Sequence, residues 1–152
     1  MPDVLLDTSF LLPTLGVEVK EVTSLDLELI RAVSKRAKVY CSYVSFVEIL
    51  GLVGKESGKA DVETVSAGMS SLLGSGLYEW TNPSPEAMRL ALELRTKGHK
   101  DNIDNILYAT AADSNMLFLS LDRELRRFLA RNGYDTGLIV KTSELAGKVG
   151  IH

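Results

Sequence analysis

Short, wholly apolar segments alternate along this chain with longer stretches of helical periodicity. Residues 4–6 form such an apolar segment, which is typical of a central parallel strand that is buried on both faces. Residues 86–97 instead place Ala87, Leu90 and Leu94 at helical spacing. This alternation predicts an α/β fold, a three-layer, Rossmann-like sandwich around a central parallel sheet of about five strands.

The two patterns, together with the glycine and capping residues between them, give a set of predicted elements. The predicted strands are residues 4–6, 38–41, 77–80, 117–120 and 138–140. The predicted helices are residues 26–36, 43–53, 60–73, 86–97, 104–115 and 122–132, followed by a short helix that Thr142 or Ser143 caps. Ser42 is the predicted N-cap of the second helix, and Gly54 is its predicted end.

The composition is typical of a globular protein, with 45% hydrophobic and 24% charged residues. The length of 152 residues suits one domain, residues 1–152, with a substantial core. No apolar stretch approaches the roughly 18 residues that a membrane span needs. The single cysteine, Cys41, cannot form an internal disulfide, so a cytoplasmic location and no association with a membrane are expected.

Four acidic residues lie where a carboxylate is costly: Asp7, Glu48, Asp104 and Asp122. A carboxylate among apolar groups either becomes protonated or finds a positive partner. Few cationic side chains neighbour these four in the sequence, so a hard divalent cation such as Mg²⁺ or Mn²⁺ is the expected partner. Three of the four lie at or just beyond the C-terminal ends of predicted strands, where open α/β sheets form their sites.

Three of these acids also have an ordinary structural explanation. Asp7 can form a turn after its strand, and Asp122 can cap the helix that follows it. Glu48 can lie on an exposed helical face, although its neighbours in that helix are mostly apolar. The joint occurrence of the acids favours a functional role for all four.

Asp104 lies in the first turn of a predicted helix for which Asp101 or Asn102 is the candidate cap. Asp101 precedes Asp104 by one turn and can face the same cavity, so a cap or a supporting residue is expected there rather than a direct ligand. Ser9 and Ser120 each lie two residues from an acid. Their hydroxyls can orient carboxylates, or they can simply form turns.

The order and context of the four acids resemble the PIN domain, a family of metal-dependent nucleases that includes VapC-type toxins and RNA-processing enzymes. The resemblance extends from Val4 to about Val140. The residues that carry it are Asp7 with Ser9, Glu48 after Ser45, the alanine-rich segment from Asp104 to Ala111, and Ser120-Leu121-Asp122. Each motif is weak alone, and the four in this order make a fairly specific signal.

The resemblance implies an endoribonuclease that hydrolyses RNA phosphodiester bonds with Mg²⁺ or Mn²⁺. The residues that would hold one or two ions are Asp7, Glu48, Asp104 and Asp122, with Ser9, Ser120 and Asp101 in supporting roles around them. Two biological roles remain open: the toxin of a toxin–antitoxin pair, which a small antitoxin neutralises, and a housekeeping RNA-processing nuclease. A catalytically silent PIN-like interaction module is a third alternative.

A basic stripe follows the last of the four acids. Arg123, Arg127 and Arg131 are spaced i, i+4 and i+8 along a predicted helix. Arg123 and Arg127 are therefore candidates to bind RNA phosphates beside the acidic site. The alternative is an ordinary solvated helix face.

Two predicted helices, residues 60–73 and 86–97, carry apolar stripes that are wider than one packed face requires. Large exposed apolar patches usually mark an interface, so a homodimer is expected. The alternative is that the two helices pack on each other within one subunit.

Overall fold

The computed structural model describes residues 1–55 and 61–152, which contain a five-stranded sheet surrounded by helices. The strands are β1 (Val4–Leu6), β2 (Val39–Ser42), β3 (Glu79–Thr81), β4 (Leu117–Leu119) and β5 (Ile139–Val140). The helices are α1 (Ser24–Val33), α2 (Ser45–Lys55), α3 (Val62–Gly74), α4 (Pro85–Thr96), α5 (Asn102–Asp113), α6 (Arg123–Arg131) and α7 (Thr142–Lys148). Two short 3-10 helices, Thr8–Phe10 and Leu12–Leu15, follow β1. Within the described ranges, no helix combines the length and hydrophobicity that a membrane crossing requires.

The pleat of β1 divides its side chains between two hydrophobic cores. Val4 and Leu6 pack in one core with residues of α1, α2, α3 and α7. Leu5 packs in the other core with residues of α4, α5 and α6. Because successive side chains of a strand point to opposite faces, a strand that is covered on both sides must be apolar throughout. The predicted three-layer sandwich with a parallel sheet is confirmed.

The strand order β3-β2-β1-β4-β5 places a topological switch point between β1 and β4. From β1 the chain continues to β2 and β3 on one side, and it then returns to β4 and β5 on the other. All the strand pairs are parallel. The segments that leave β1 and β4 therefore diverge at the C-terminal edge of the sheet and open a crevice there. Asp7 and Asp122 lie at this edge.

The helix after β2 begins later and ends later than predicted. Ser42 is the last residue of β2, and its hydroxyl accepts a hydrogen bond from the Val44 N–H (3.3 Å) instead of capping a helix. α2 runs through Gly54, so this glycine does not end it. The predicted start of the next helix at residue 60 lies outside the described residues, and Asp61 caps α3.

Capping residues explain the shifted start of α1. The Thr23 hydroxyl accepts from the Asp26 N–H (3.3 Å), and the Asp26 carboxylate accepts from the Thr23 N–H (2.8 Å). This reciprocal capping box starts the helix at Ser24, two residues before the predicted start. In α7, Lys141 occupies the cap position without a side-chain hydrogen bond, so neither of the predicted residues caps that helix.

The apolar stripes of α3 and α4 are only partly used inside the subunit. The buried members are Val65, Leu72 and Leu94, and the exposed members are Val62, Leu73, Met88 and Leu92. α3 packs against the 3-10 helix Leu12–Leu15, whereas α4 packs against α5. Each helix thus has a different partner, and both retain an exposed apolar strip.

Gly68 allows α3 to lie close to the Leu12–Leu15 segment. A Cβ atom at Gly68 would lie 2.7 Å from the carbonyl oxygen of Thr14 and 3.0 Å from the Cα of Leu15. Both are backbone atoms, which cannot rotate away as the end of a side chain can. The absence of a side chain at this position therefore sets the distance between the two segments.

We predict that Gly68→Ala destabilises the fold by about 2 kcal/mol, because overpacking outweighs the better helix propensity of alanine. Gly51→Ala is the matched control in the interior of α2, where a Cβ meets nothing within 4 Å. The control is expected to be neutral or about 0.5–1 kcal/mol more stable. Urea denaturation measures both variants, and equal free energies of unfolding would contradict the close approach at Gly68.

Candidate active site

Asp7 directly follows β1, and both of its carboxylate oxygens accept hydrogen bonds. Oδ1 accepts a hydrogen bond from the Thr8 N–H (2.7 Å), and Oδ2 accepts one from the Ser120 hydroxyl (2.9 Å). The side chain is only 6% exposed. Asp7 thus forms the turn that is its ordinary structural explanation, and the same hydrogen bond to Thr8 fixes the direction of its carboxylate.

Ser120 connects three segments of the C-terminal edge. Its N–H donates to the carbonyl oxygen of Val140 (3.1 Å), which continues the pairing of β4 with β5. Its hydroxyl donates to Asp7 and accepts from the Asp122 N–H (3.2 Å). One buried hydroxyl thus contacts the carboxylate of Asp7 and the backbone of Asp122.

Asp101 and Asp122 are both helix caps. The Asp101 carboxylate accepts from the Asp104 N–H (3.0 Å) at the start of α5. The Asp122 carboxylate accepts from the Leu125 N–H (3.0 Å) at the start of α6. Each of these bonds uses one carboxylate oxygen, Oδ1, and both side chains also line the cleft described below. Capping and membership of a site therefore coexist in these two residues.

Glu48 lies in the first turn of α2 and is partly buried. A hydrogen bond between the hydroxyls of Thr8 and Ser45 (3.0 Å) ties the start of this helix to the segment after Asp7. Among the described residues, the buried Oε2 atom of Glu48 has no hydrogen-bond partner. Glu48 therefore does not lie on an exposed face of its helix.

Asn105 positions the loop that carries Asp101, and sequence reasoning missed this residue. Its Nδ2 donates to the His99 carbonyl oxygen (2.9 Å), and its Oδ1 lies 2.7 Å from the His99 Nδ1. The side chain is buried beside Asp104 at the start of α5. The signal available in the sequence was a polar side chain, Asn105, between the candidate ligand Asp104 and the apolar pair Ile106-Leu107.

These segments enclose one acidic cleft of about 290 Å³. Its lining residues are Asp7, Ser9, Val19, Glu21, Glu48, Asp101, Asp104, Leu121 and Asp122. All four predicted acids meet there, together with Ser9 and Asp101, and Ser120 contacts Asp7. Glu21 is an additional acid that no sequence pattern marked. Among the described residues, no cationic side chain lines the cleft.

Burial and like charge disturb the protonation of the two most buried acids. Burial, with smaller contributions from the carboxylates of Glu48 and Asp122, raises the pKa of Asp7 to about 7, against the lowering effect of its hydrogen bonds. Burial also raises the pKa of Asp104, and the neighbouring carboxyl groups, Asp122 first, raise it further. In the absence of a cation, the cleft therefore retains protons on acids that would ordinarily have lost them.

The two more accessible acids respond differently. Burial raises the pKa of Glu48, and the charges of Asp101 and Asp122 add to this effect. Burial also acts to raise the pKa of Asp122, but hydrogen bonds from Asp104 and from the backbone at the start of α6 outweigh it and lower the pKa. The opposite directions of these two pKa shifts favour a proton on Asp104 over one on Asp122.

The donor set of the cleft fits a hard divalent cation. It offers carboxylate oxygens from several segments, one of them buried and without a partner, and this is the ligand chemistry that Mg²⁺ and Mn²⁺ prefer. Within residues 1–55 and 61–152, no three of these side chains already stand together as a chelating group. The residues therefore fit such an ion by their chemistry and by their location in one cleft.

A second, basic pocket adjoins the acidic cleft and shares Leu121 and Asp122 with it. The pocket has a volume of about 170 Å³, and its lining residues are Ser120, Leu121, Asp122, Arg123, Arg126, Arg127 and Lys141. Arg123 and Arg127 thus line a pocket that shares Asp122 with the acidic cleft. Arg131 is not among the lining residues, and sequence reasoning did not identify Lys141.

The PIN domain family model matches residues 4–129. This match covers most of the chain, and the chain therefore belongs to the PIN domain family. PIN domains are in general nucleases, so the family and the acidic cleft together support a nuclease. No curated protein sequence matches the chain significantly.

Several solved structures share the fold. PAE2754 from Pyrobaculum aerophilum is 18% identical, with a TM-score of 0.57 over 98% of this chain and 90% of that chain. A chain of VapBC2 from Rickettsia felis, from a structure bound to a DNA fragment of the VapBC2 promoter, is 17% identical. Its TM-score is 0.64 over 91% of this chain and 97% of that chain. A chain of FitAcB from Neisseria gonorrhoeae is 14% identical, with a TM-score of 0.61 over 92% and 98%. At these identities the likeness shows the fold alone.

We predict that Asp7→Asn makes the metal-free protein more stable at pH 8 by about 1–3 kcal/mol. The pKa of Asp7 in the folded protein lies above its value in the unfolded chain. The contribution of Asp7 to the free energy of unfolding is therefore fully present below pH 4 and is lost as the pH rises to about 7. Asparagine does not titrate and avoids this loss, so the gain should disappear near pH 4. Urea denaturation in EDTA at both pH values measures the effect.

Glu28→Gln is the matched control, because it removes one negative charge from an exposed position on α1. It should change the free energy of unfolding by less than about 0.5 kcal/mol at either pH. If Asp7→Asn and Glu28→Gln behave alike at pH 8, the burial of Asp7 carries no penalty and the explanation is wrong.

Proposed function

We propose that this PIN domain is an endoribonuclease that hydrolyses RNA phosphodiester bonds with Mg²⁺ or Mn²⁺. The observation that carries the proposal is the convergence of Asp7, Glu48, Asp104 and Asp122 on one cleft, where the described residues supply no balancing cation. Such an arrangement is unfavourable unless a positive ligand enters it. The likeness of these motifs to the PIN family favours RNA as the substrate.

The four acids would hold the ion, and their surroundings prepare them for it. Asp7 is oriented before binding by its bonds to Thr8 and Ser120. Asp7 and Asp104 have raised pKa values, so cation binding should release protons from the cleft. A bound divalent ion would lower the pKa of an attacking water and stabilise the charge that develops on the phosphate.

The remaining predicted residues have supporting positions in this proposal. Ser120 and Asp101 fix the directions of neighbouring acids or of the segments that carry them. Ser9 lines the cleft and can contact a phosphate or a water molecule there. Arg123 and Arg127 line the adjoining basic pocket, where they would bind the RNA backbone without reading its sequence.

We predict that Asp7→Asn and Asp104→Asn each weaken Mn²⁺ binding at least about tenfold, because loss of a ligand should cost no less than loss of its outer partners. Calorimetry measures the affinity, and cleavage of single-stranded RNA with and without Mn²⁺ measures the activity. Both variants should abolish metal-dependent cleavage, whereas Glu28→Gln should match the parent. Unchanged Mn²⁺ affinity in both variants would remove the metal assignment. Mn²⁺ binding by the parent without cleavage would favour the silent interaction module.

The toxin role is the biological setting that the structural neighbours favour. VapBC2 and FitAcB share this fold, and the PIN family that the motifs resemble includes VapC-type toxins. A small antitoxin would then block the acidic cleft, for which a basic segment is the complementary chemistry. A neighbouring short reading frame that encodes a DNA-binding protein would favour the toxin, and its absence would favour the housekeeping RNA-processing nuclease.

We also propose that residues 1–152 act as one nuclease domain in the cytoplasm. The first core joins Val4 of β1 to Leu145 and Val149 near the other end of the chain, which ties the two ends into one unit. Cys41 is a free, buried thiol whose pKa burial raises to about 12, so it stays protonated and plays no part in this chemistry.

We predict a homodimer that uses the exposed apolar strips of α3 and α4. Val62 is 76% exposed and Leu92 is 64% exposed, which is costly unless a second subunit covers them. Light scattering at low micromolar concentration should give a dimer mass for the parent and a lower mass for Leu92→Glu. Leu25→Glu, at a 72% exposed site on α1, is the matched control and should stay dimeric. A monomer mass for the parent would remove the proposal.

A further inference from the structure

We infer that the basic pocket beside the acids is a binding subsite for one backbone phosphate of the RNA strand, and that Lys141 completes it. The inference rests on the proposed nuclease function and deepens it, because it states which part of the substrate lies next to the cleaved bond. Lys141 carries no sequence signal, since it lies far along the chain from every candidate acid.

The pairing of β4 with β5 brings Lys141 to the site. Leu119 is in register with Val140, and the Ser120 N–H donates to the Val140 carbonyl oxygen (3.1 Å). Lys141, the next residue, therefore emerges beside Ser120, whose hydroxyl bonds to Asp7. The acidic cleft is built on the β1–β4 pair and the basic pocket on the adjacent β4–β5 pair.

The charges of the pocket select an anion. Of the described residues that line it, four have cationic side chains and only Asp122 has a carboxylate. One oxygen of Asp122 is already held by the Leu125 N–H. The guanidinium of Arg126 is fixed by its hydrogen bond to the Ile139 carbonyl oxygen, so its charge is positioned before any ligand arrives.

The charge and lining of the pocket favour a phosphate over a base. Its volume of about 170 Å³ leaves room for one phosphate group. None of the described side chains that line it is aromatic, so it offers no surface on which a base would stack. Phosphate contacts of this kind position a strand without specifying its sequence.

The first test is the salt dependence of RNA binding, measured by anisotropy with a labelled single-stranded RNA in EDTA, where metal-dependent cleavage does not occur. Lys141→Gln should weaken binding several-fold at low salt and reduce the slope of log K against log salt by about 0.7, the value for one phosphate contact on a single strand. Lys148→Gln is the matched control, because it removes the same charge from an exposed position on the same short helix. Identical affinities and slopes for the two variants would overturn the subsite.

The second test uses inorganic phosphate and does not depend on cleavage. In NMR titrations, phosphate should shift the backbone amides of Ser120, Arg123 and Lys141 in the parent, and Lys141→Gln should abolish the shifts. RNA should compete with phosphate for these shifts, which distinguishes a strand-binding subsite from a site for free phosphate only. Failure of the parent to cleave RNA would contradict the nuclease but not this binding. Normal cleavage with no effect of Lys141→Gln on binding would contradict the subsite but not the nuclease.

Discussion

The burial of neighbouring carboxylates at the β1–β4 junction is the constraint on which the rest of this structure depends. Asp7 and Asp104 are buried, and the described residues place no cation in their cleft. Hydrogen bonds from Thr8 and Ser120 stabilise the Asp7 carboxylate but do not offset its burial, since its pKa still lies far above the ordinary value. The two hydrophobic cores on either side of the sheet hold the acids together against this cost, and a cation that enters the cleft would relieve it.

The acids hold these positions because they also form the local structure around them. Asp7, Asp101 and Asp122 each accept a backbone N–H at the start of a helix or turn. The hydrogen bond that begins the helix or turn thus also orients the carboxylate. No further residues are needed to orient it. An asparagine keeps the accepting oxygen and loses the charge, whereas an alanine loses both. Substitution by asparagine therefore separates the electrostatic role of these residues from their structural one.

The fold and the four acids could be predicted from the sequence because their signals are local. An apolar run such as Val4–Leu6 specifies a doubly covered strand, and a carboxylate directly after it is conspicuous. Ser42 misled the prediction because the same hydroxyl can cap a helix or close a turn, and only the path of the chain decides between them. Glu21 and Lys141 lie outside the periodic part of any element, and tertiary structure alone brings them to the site. What the sequence could not provide was the pairing of β4 with β5, which sets the neighbours of the acids.

The two adjoining pockets impose an order on the proposed reaction. Six acidic side chains line the cleft, and those that stay charged without a metal repel the same strand that the basic pocket attracts. The pockets share Leu121 and Asp122, which places them within roughly one Debye length, about 8 Å at physiological salt, so neither field is screened from the other. A divalent cation bound by the acids would reduce this repulsion and leave the attraction of the arginines and Lys141. Metal binding would thus precede tight RNA binding, and the asymmetry between the β1–β4 and β4–β5 edges would direct the strand from one pocket into the other.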